Sequence, residues 1–117
     1  MLFNLIVDSK VNEADILGLT PLLKACENAL PMTIKVLLDK KADIHFVHAS
    51  TGDTALHIIA RCKKPQAYDC VKILLDYGAE HSIHNKAKKT PIDEAEQCGN
   101  KSIFDGLTEL LKSQQVI

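Results

Sequence analysis

An all-α solenoid of about three full helix-pair repeats, preceded by a half repeat and carrying short β-turn fingers, is the expected fold of these 117 residues. Three observations lead there. First, the chain aligns with itself: Gly18-Leu19-Thr20-Pro21-Leu22-Leu23-Lys24-Ala25 matches Gly52-Asp53-Thr54-Ala55-Leu56-His57-Ile58-Ile59-Ala60 and then Lys88-Lys89-Thr90-Pro91-Ile92-Asp93-Glu94-Ala95. The aligned threonines stand 34 and 36 residues apart. A fixed period of that size marks stacked units, none of which buries its apolar face alone. Second, hydrophobic residues make up 46% of the chain and aromatics only 4%, so the apolar material is aliphatic. Such a core favours closely stacked helices over an aromatic-rich barrel. Third, each matching segment carries a helix-start signal.

The elements follow in order. A threonine at an N-cap offers its hydroxyl to an unpaired backbone N–H, and proline at the first helical position lacks a donor that would be orphaned anyway. Thr20-Pro21 and Thr90-Pro91 therefore start helices, and Thr54-Ala55 starts one by alignment. Three residues after the cap, His57 and Asp93 are placed to reach back to it, as the partner in a capping box does. Small Ala25, Ala60 and Ala95 on these short helices allow close approach of neighbours. Pro31 opens the second helix of the first full repeat, and its counterpart starts near Ala67 after a loop holding Lys63-Lys64-Pro65. Ile34, Leu37 and Leu38 recur at i, i+3 and i+4, as do Val71, Leu74 and Leu75, an amphipathic stripe. Gly78 suits the left-handed position that ends such a helix, and Lys41 holds that place one repeat earlier.

These motifs resemble the ankyrin repeat, whose period is about 33 residues and whose hallmark is T-P-L-H-x-A. The resemblance covers residues 11–112 and implies a partial repeat at 1–12, full repeats at 13–45 and 46–81, and a C-terminal capping repeat at 82–117. The polar stretches Glu13 to Gly18, Phe46 to Gly52 and Ser82 to Lys88 become the fingers. Leu2 to Val7 resembles only the second helix of an earlier repeat, followed by the family's Val11-Asn12. Either the array begins with half a repeat or it is truncated upstream; truncation is the expectation, with an apolar surface near Leu2, Phe3, Leu5 and Ile6. At the other end Asp93, Glu94 and Glu96, then Lys112 to Gln115 beyond the last helix, read as a solvated capping face. Several positions depart from the family pattern. Ala55 replaces proline, Leu23 and Asp93 replace histidine, Lys88 replaces the turn glycine and Ile59 replaces a small alanine. The second repeat also gains about three residues around Lys63-Lys64-Pro65.

Charge and motif searches narrow the function. Fourteen basic residues against fifteen acidic ones give a formal net charge of −1, without the basic footprint of a nucleic-acid or anionic-membrane binder. No apolar run approaches the roughly 18–20 residues needed to cross a bilayer, and Met1 to Val7 lacks the flanks of a signal peptide. Cys26, Cys62, Cys70 and Cys98 form no CxxC and read as reduced thiols of an intracellular protein, with a two-disulfide framework as the alternative. The five glycines never cluster into a phosphate-cradling loop, and no nucleophile elbow occurs, so no catalysis and no cofactor are expected. Cys62 beside His57 could be imagined as a nucleophile and its base, but His57 fills the structural histidine of the motif. His45-x2-His48 and His81-x2-His84 lie in successive loops and raise a zinc site, which needs four ligands. The pairs are not at equivalent repeat positions, so surface histidines are the expectation.

The family resemblance implies a non-enzymatic module that holds another protein on finger tips and on the exposed side of the first helices. It would act as a monomer or as a subunit of a larger assembly. Along that surface the expected contact residues are Ile16, Leu17, Leu19, Asp53, Arg61 and Lys89. The first finger stands out, because three aliphatic side chains surround a turn that normally carries polar ones, and contiguous apolar patches mark interfaces. The competing reading packs them on an N-terminal repeat or on Leu2 to Ile6. Two rival functions remain at this level: a metal-binding or redox-responsive His/Cys module, and a spacer or cap within a larger repeat protein.

Overall fold

Thr20, Thr54 and Thr90 each begin a short helix in the computed structural model, which describes residues 11–115. These helices are α1 (Pro21–Glu27), α3 (Ala55–Ala60) and α5 (Pro91–Gln97). Each is followed by a second helix: α2 (Pro31–Asp39), α4 (Ala67–Asp76) and α6 (Lys101–Gln115). The three pairs pack internally, while α1, α3 and α5 form one layer and α2, α4 and α6 the other. No strand occurs among the described residues. The half repeat expected over Leu2 to Val7, with its apolar surface, lies outside the described residues.

The N-caps behave as their chemistry requires. Thr20 accepts the N–H of Leu23 at 3.3 Å, and Thr90 accepts that of Asp93 at 3.2 Å. Asp93 returns the interaction by accepting the Thr90 N–H at 3.0 Å, a reciprocal capping box. His57 does the same for Thr54, its Nδ1 accepting that backbone N–H at 3.1 Å.

Between the layers lies an aliphatic core. Leu22, Leu23, Ile34, Leu37, Leu56, Ile59, Val71, Leu74, Ile103 and Leu107 are all buried, which stabilises the fold by about 1.5–3 kcal/mol for each such side chain. Ile59, bulky where the motif prefers alanine, is fully enclosed. Ala60 beside it is buried too, as are Ala25 and Ala95. Gly106 on α6 makes room for Tyr68 of α4: a Cβ there would stand 2.5 Å from the tyrosine ring.

The loop at 61–66 is three residues longer than those at 28–30 and 98–100, the extra length expected around Lys63-Lys64-Pro65, while α3 is one residue shorter than α1 and α5. The second repeat therefore grows by two, the difference between the two threonine spacings. Lys112 to Gln115, expected beyond the last helix, continue it instead, since lysine and glutamine are good helix formers. Lys41 and Lys88, both standing where a glycine is usual, adopt φ of +74° and +64°.

Candidate protein-binding face

Three turn fingers precede α1, α3 and α5, and each is tied to the helix that follows it: Asp15 to Lys24, Asp53 to Arg61 and Asn85 to Glu94. In the first, the Asp15 N–H donates to the Leu19 carbonyl, and a carboxylate oxygen of Asp15 accepts the N–H groups of Leu17 and Leu19, each at 2.9 Å. The third repeats the scheme: Asn85 Oδ1 accepts from Ala87 at 3.0 Å and Lys89 at 3.1 Å. Both are Asx turns, in which a short side chain takes over the work of a backbone carbonyl. Lys24 pairs with Asp15 at 2.9 Å. That hydrogen bond, with the backbone N–H of Leu19, holds the Asp15 carboxyl below the usual carboxylate range.

The Asp15 turn throws its tip outward. Ile16 is fully exposed and Leu17 is 69% exposed. Leu19 instead packs against the core, so the apolar patch of the first finger is a pair of side chains rather than three.

Asp53 is not the exposed finger residue anticipated; it is 4% exposed and sits at the centre of a polar network. Arg61 of α3 donates to Asp53 Oδ2 at 2.6 Å and pairs with Glu94 of α5 at 3.3 Å. Asn85 of the third finger donates to Asp53 Oδ1 at 2.9 Å and to Glu94 at 2.7 Å. Burial pushes the Asp53 carboxyl up, but the hydrogen bonds from Arg61 and Asn85 outweigh it and hold the group below its ordinary value. Glu94, expected on a solvated capping face, is thus half of an inter-repeat ion pair. Beside this network a cleft of about 500 Å³ opens between Thr51, Lys86 and Ala87 of the fingers and Arg61 and Glu94 of the helices. Arg61 also borders a second cleft of about 430 Å³, with Glu27, Asn28, Ile58 and Cys62.

Lys89 acts through its backbone: its carbonyl accepts from His57 Nε2 at 2.8 Å. His57 Nδ1 accepts at the Thr54 cap, so the ring proton resides on Nε2 and the side chain is spent on both contacts. It is not available as a base for Cys62. His48 has both nitrogens engaged, at Leu17 and Ser50, while His45 and His84 are exposed. No group of three or more His, Cys, Asp or Glu arranged to hold a metal ion occurs among the described residues. All four cysteines are free thiols. Burial raises the Cys26 thiol strongly and pushes Cys70 up to about 12, which disfavours their thiolates.

Three further residues escaped sequence reasoning. Asn100 donates to the carbonyls of Ala60 at 2.9 Å and Cys62 at 2.8 Å, tying the last repeat to the end of α3. Asn12 bonds the backbone of Lys41 and Asp43. Asn85 shares its phase with Asp15, and that equivalence was the available signal.

Helix pairs stacked in two layers, with capped first helices and turn fingers, define a solenoid-type repeat module. A family model for ankyrin repeats in three copies matches residues 1–85 and again 32–115, and the chain belongs to the ankyrin-repeat family. Among curated proteins it is 37% identical over 75 residues to an ankyrin repeat protein of Rickettsia bellii (strain RML369-C), covering 64% of this chain and 42% of that one. It is 32% identical over 87 residues to ankyrin repeat and SOCS box protein 9 of Homo sapiens, covering 74% and 26%. With the ARF GTPase-activating protein GIT2 of Rattus norvegicus the identity is 31% over 74 residues, 63% of this chain and 9% of the relative. The chain thus spans less than half the length of each of these relatives. Ankyrin repeats are in general protein-interaction modules without a reaction of their own. No helix among the described residues is long and apolar enough to cross a membrane.

Proposed function

We propose that this chain is a non-catalytic module that binds another protein through its fingers and first helices, within a reducing, intracellular compartment. The supporting observation is the first finger: Ile16 and Leu17 stand in solvent on a turn fixed from beneath by Asp15. Apolar side chains held out by a rigid turn lose little freedom on contact, which favours binding. Arg61, set between two carboxylates and bordering both clefts, provides the polar part of the same face. Asp53 and Lys89 support that face from within, the first by holding Arg61 and the second by its carbonyl. Leu19 anchors the finger rather than the partner.

Leu17→Asp tests the reading. The substitution removes an exposed apolar group without touching the core, so the far-UV circular dichroism of the variant should equal that of the wild type. Proteins retained on immobilised wild-type chain should be lost from the variant by at least tenfold, read by quantitative mass spectrometry. Equal retention by both would overturn the role of the first finger.

A further inference from the structure

The second finger is one residue longer than the others, running from His48 to Asp53, and His48 occupies the place that Asp15 and Asn85 hold in theirs. Its Nδ1 accepts the N–H of Ser50 at 3.2 Å, the same i+2 contact that Asp15 makes with Leu17 and Asn85 with Ala87. Asp15 uses its remaining oxygen on Lys24 of its own repeat. An imidazole has a second nitrogen pointing away from the first, and His48 Nε2 lies 2.9 Å from the carbonyl of Leu17. With Nδ1 accepting, the proton belongs on Nε2, so the ring donates to the first finger. Gly18, at φ +83°, lets the ring lie there; a Cβ would stand 3.1 Å from Nε2. Histidine at this position therefore does two things, closing its own turn and reaching the residue next to Ile16 in the neighbouring finger.

We propose that His48 is a positioning residue of the binding face, clamping the apolar tip of the first finger to the second finger. The role rests on the reading of Ile16 and Leu17 as the contact pair. The Asp15 turn shapes the tip from within, and His48 fixes where that turn points. Releasing the clamp leaves a folded array whose tip swings.

The two nitrogens can be tested separately, since an asparagine side chain reaches about as far as Nδ1 and a glutamine about as far as Nε2. In His48→Asn the acceptor for Ser50 remains and the donor to Leu17 is lost; in His48→Gln the donor remains. Backbone ¹⁵N relaxation on the free protein should give order parameters near 0.85 for Ile16, Leu17 and Gly18 in the wild type and in His48→Gln. They should fall to about 0.6 or below in His48→Asn. Equal order in the two variants overturns the proposal. Long-range ¹H–¹⁵N spectra of the wild-type ring supply an independent reading and do not depend on any variant folding. They should show the Nε2–H tautomer, and the Nδ1–H tautomer would refute the clamp. Neither measurement involves a partner, so the clamp can fail while capture through Leu17 stands, and the reverse.

Discussion

Lys88 sits at φ +64° with its side chain exposed, where the repeat usually has glycine. A Cβ in the left-handed region costs about 1–2 kcal/mol, whereas glycine sacrifices roughly 0.5–1 kcal/mol more chain entropy on folding. Lys88→Gly should therefore stabilise the protein by about 0.5–1 kcal/mol, read as a higher urea midpoint at unchanged slope. A lower midpoint would show that the lysine is held there by something more valuable than the strain it carries. The same residue shows what the sequence makes visible at this scale. Lys41 and Lys88 were legible as substitutes for glycine, and His57 and Asp93 as capping partners, because the governing contacts are three residues away or fixed by alignment. Asn85, Asn100 and Glu94 were not legible in these roles. Their partners lie 9 to 40 residues distant, as with Asn100 and the Ala60 carbonyl, and meet only once the repeats have stacked in register.

Among the helices, burial ranks the positions. Leu37 of α2 and Leu74 of α4 are almost wholly enclosed between layers. Replacing Leu74 with alanine should destabilise the array by about 2–5 kcal/mol, measured by chemical denaturation, because the neighbours close only partly around the space left. A loss below about 1 kcal/mol would mean that α4 moves inward to fill it. The starts of α1, α2, α4 and α5 were readable from caps, prolines and apolar spacing. The end of α6 was not: Ile103, Leu107 and Leu111 continue a buried i, i+4 stripe, while the next four residues are polar, so the apolar pattern does not say where the helix stops. The longer loop at 61–66 was readable as an insertion, but its length was offset by a shortening of α3 that composition does not reveal.

For the whole molecule, pH gathers several local effects into one. Asp53, Asp93 and Asp15 are all held below the ordinary value of 3.8, by Arg61 and Asn85 against the opposing effect of burial, by the Thr90 N–H, and by Lys24 respectively. A carboxyl whose folded-state pKa is depressed contributes its stability above the unfolded value and loses it as pH falls through the folded one. The contribution of these groups to the thermal midpoint should be level from about pH 5 upward and should decline below about pH 4. Asp53→Asn should flatten that decline; an unchanged profile would mean that the network adds nothing to folding. The second and third repeats are joined by this network and also by His57 to Lys89, Asn100 to Ala60 and Cys62, and the Lys86 N–H to Thr51. Between the first and second, His48 reaches the Leu17 carbonyl, and Tyr77 reaches Asp39 and Lys35. Leu23, standing where the motif has histidine, gives the first repeat no counterpart of the His57 bond. A buried ion-pair network thus ties the C-terminal seam, whereas the seam next to the repeat that carries Ile16 and Leu17 joins α1 to α3 and α2 to α4 by packing, with His48 bridging its fingers.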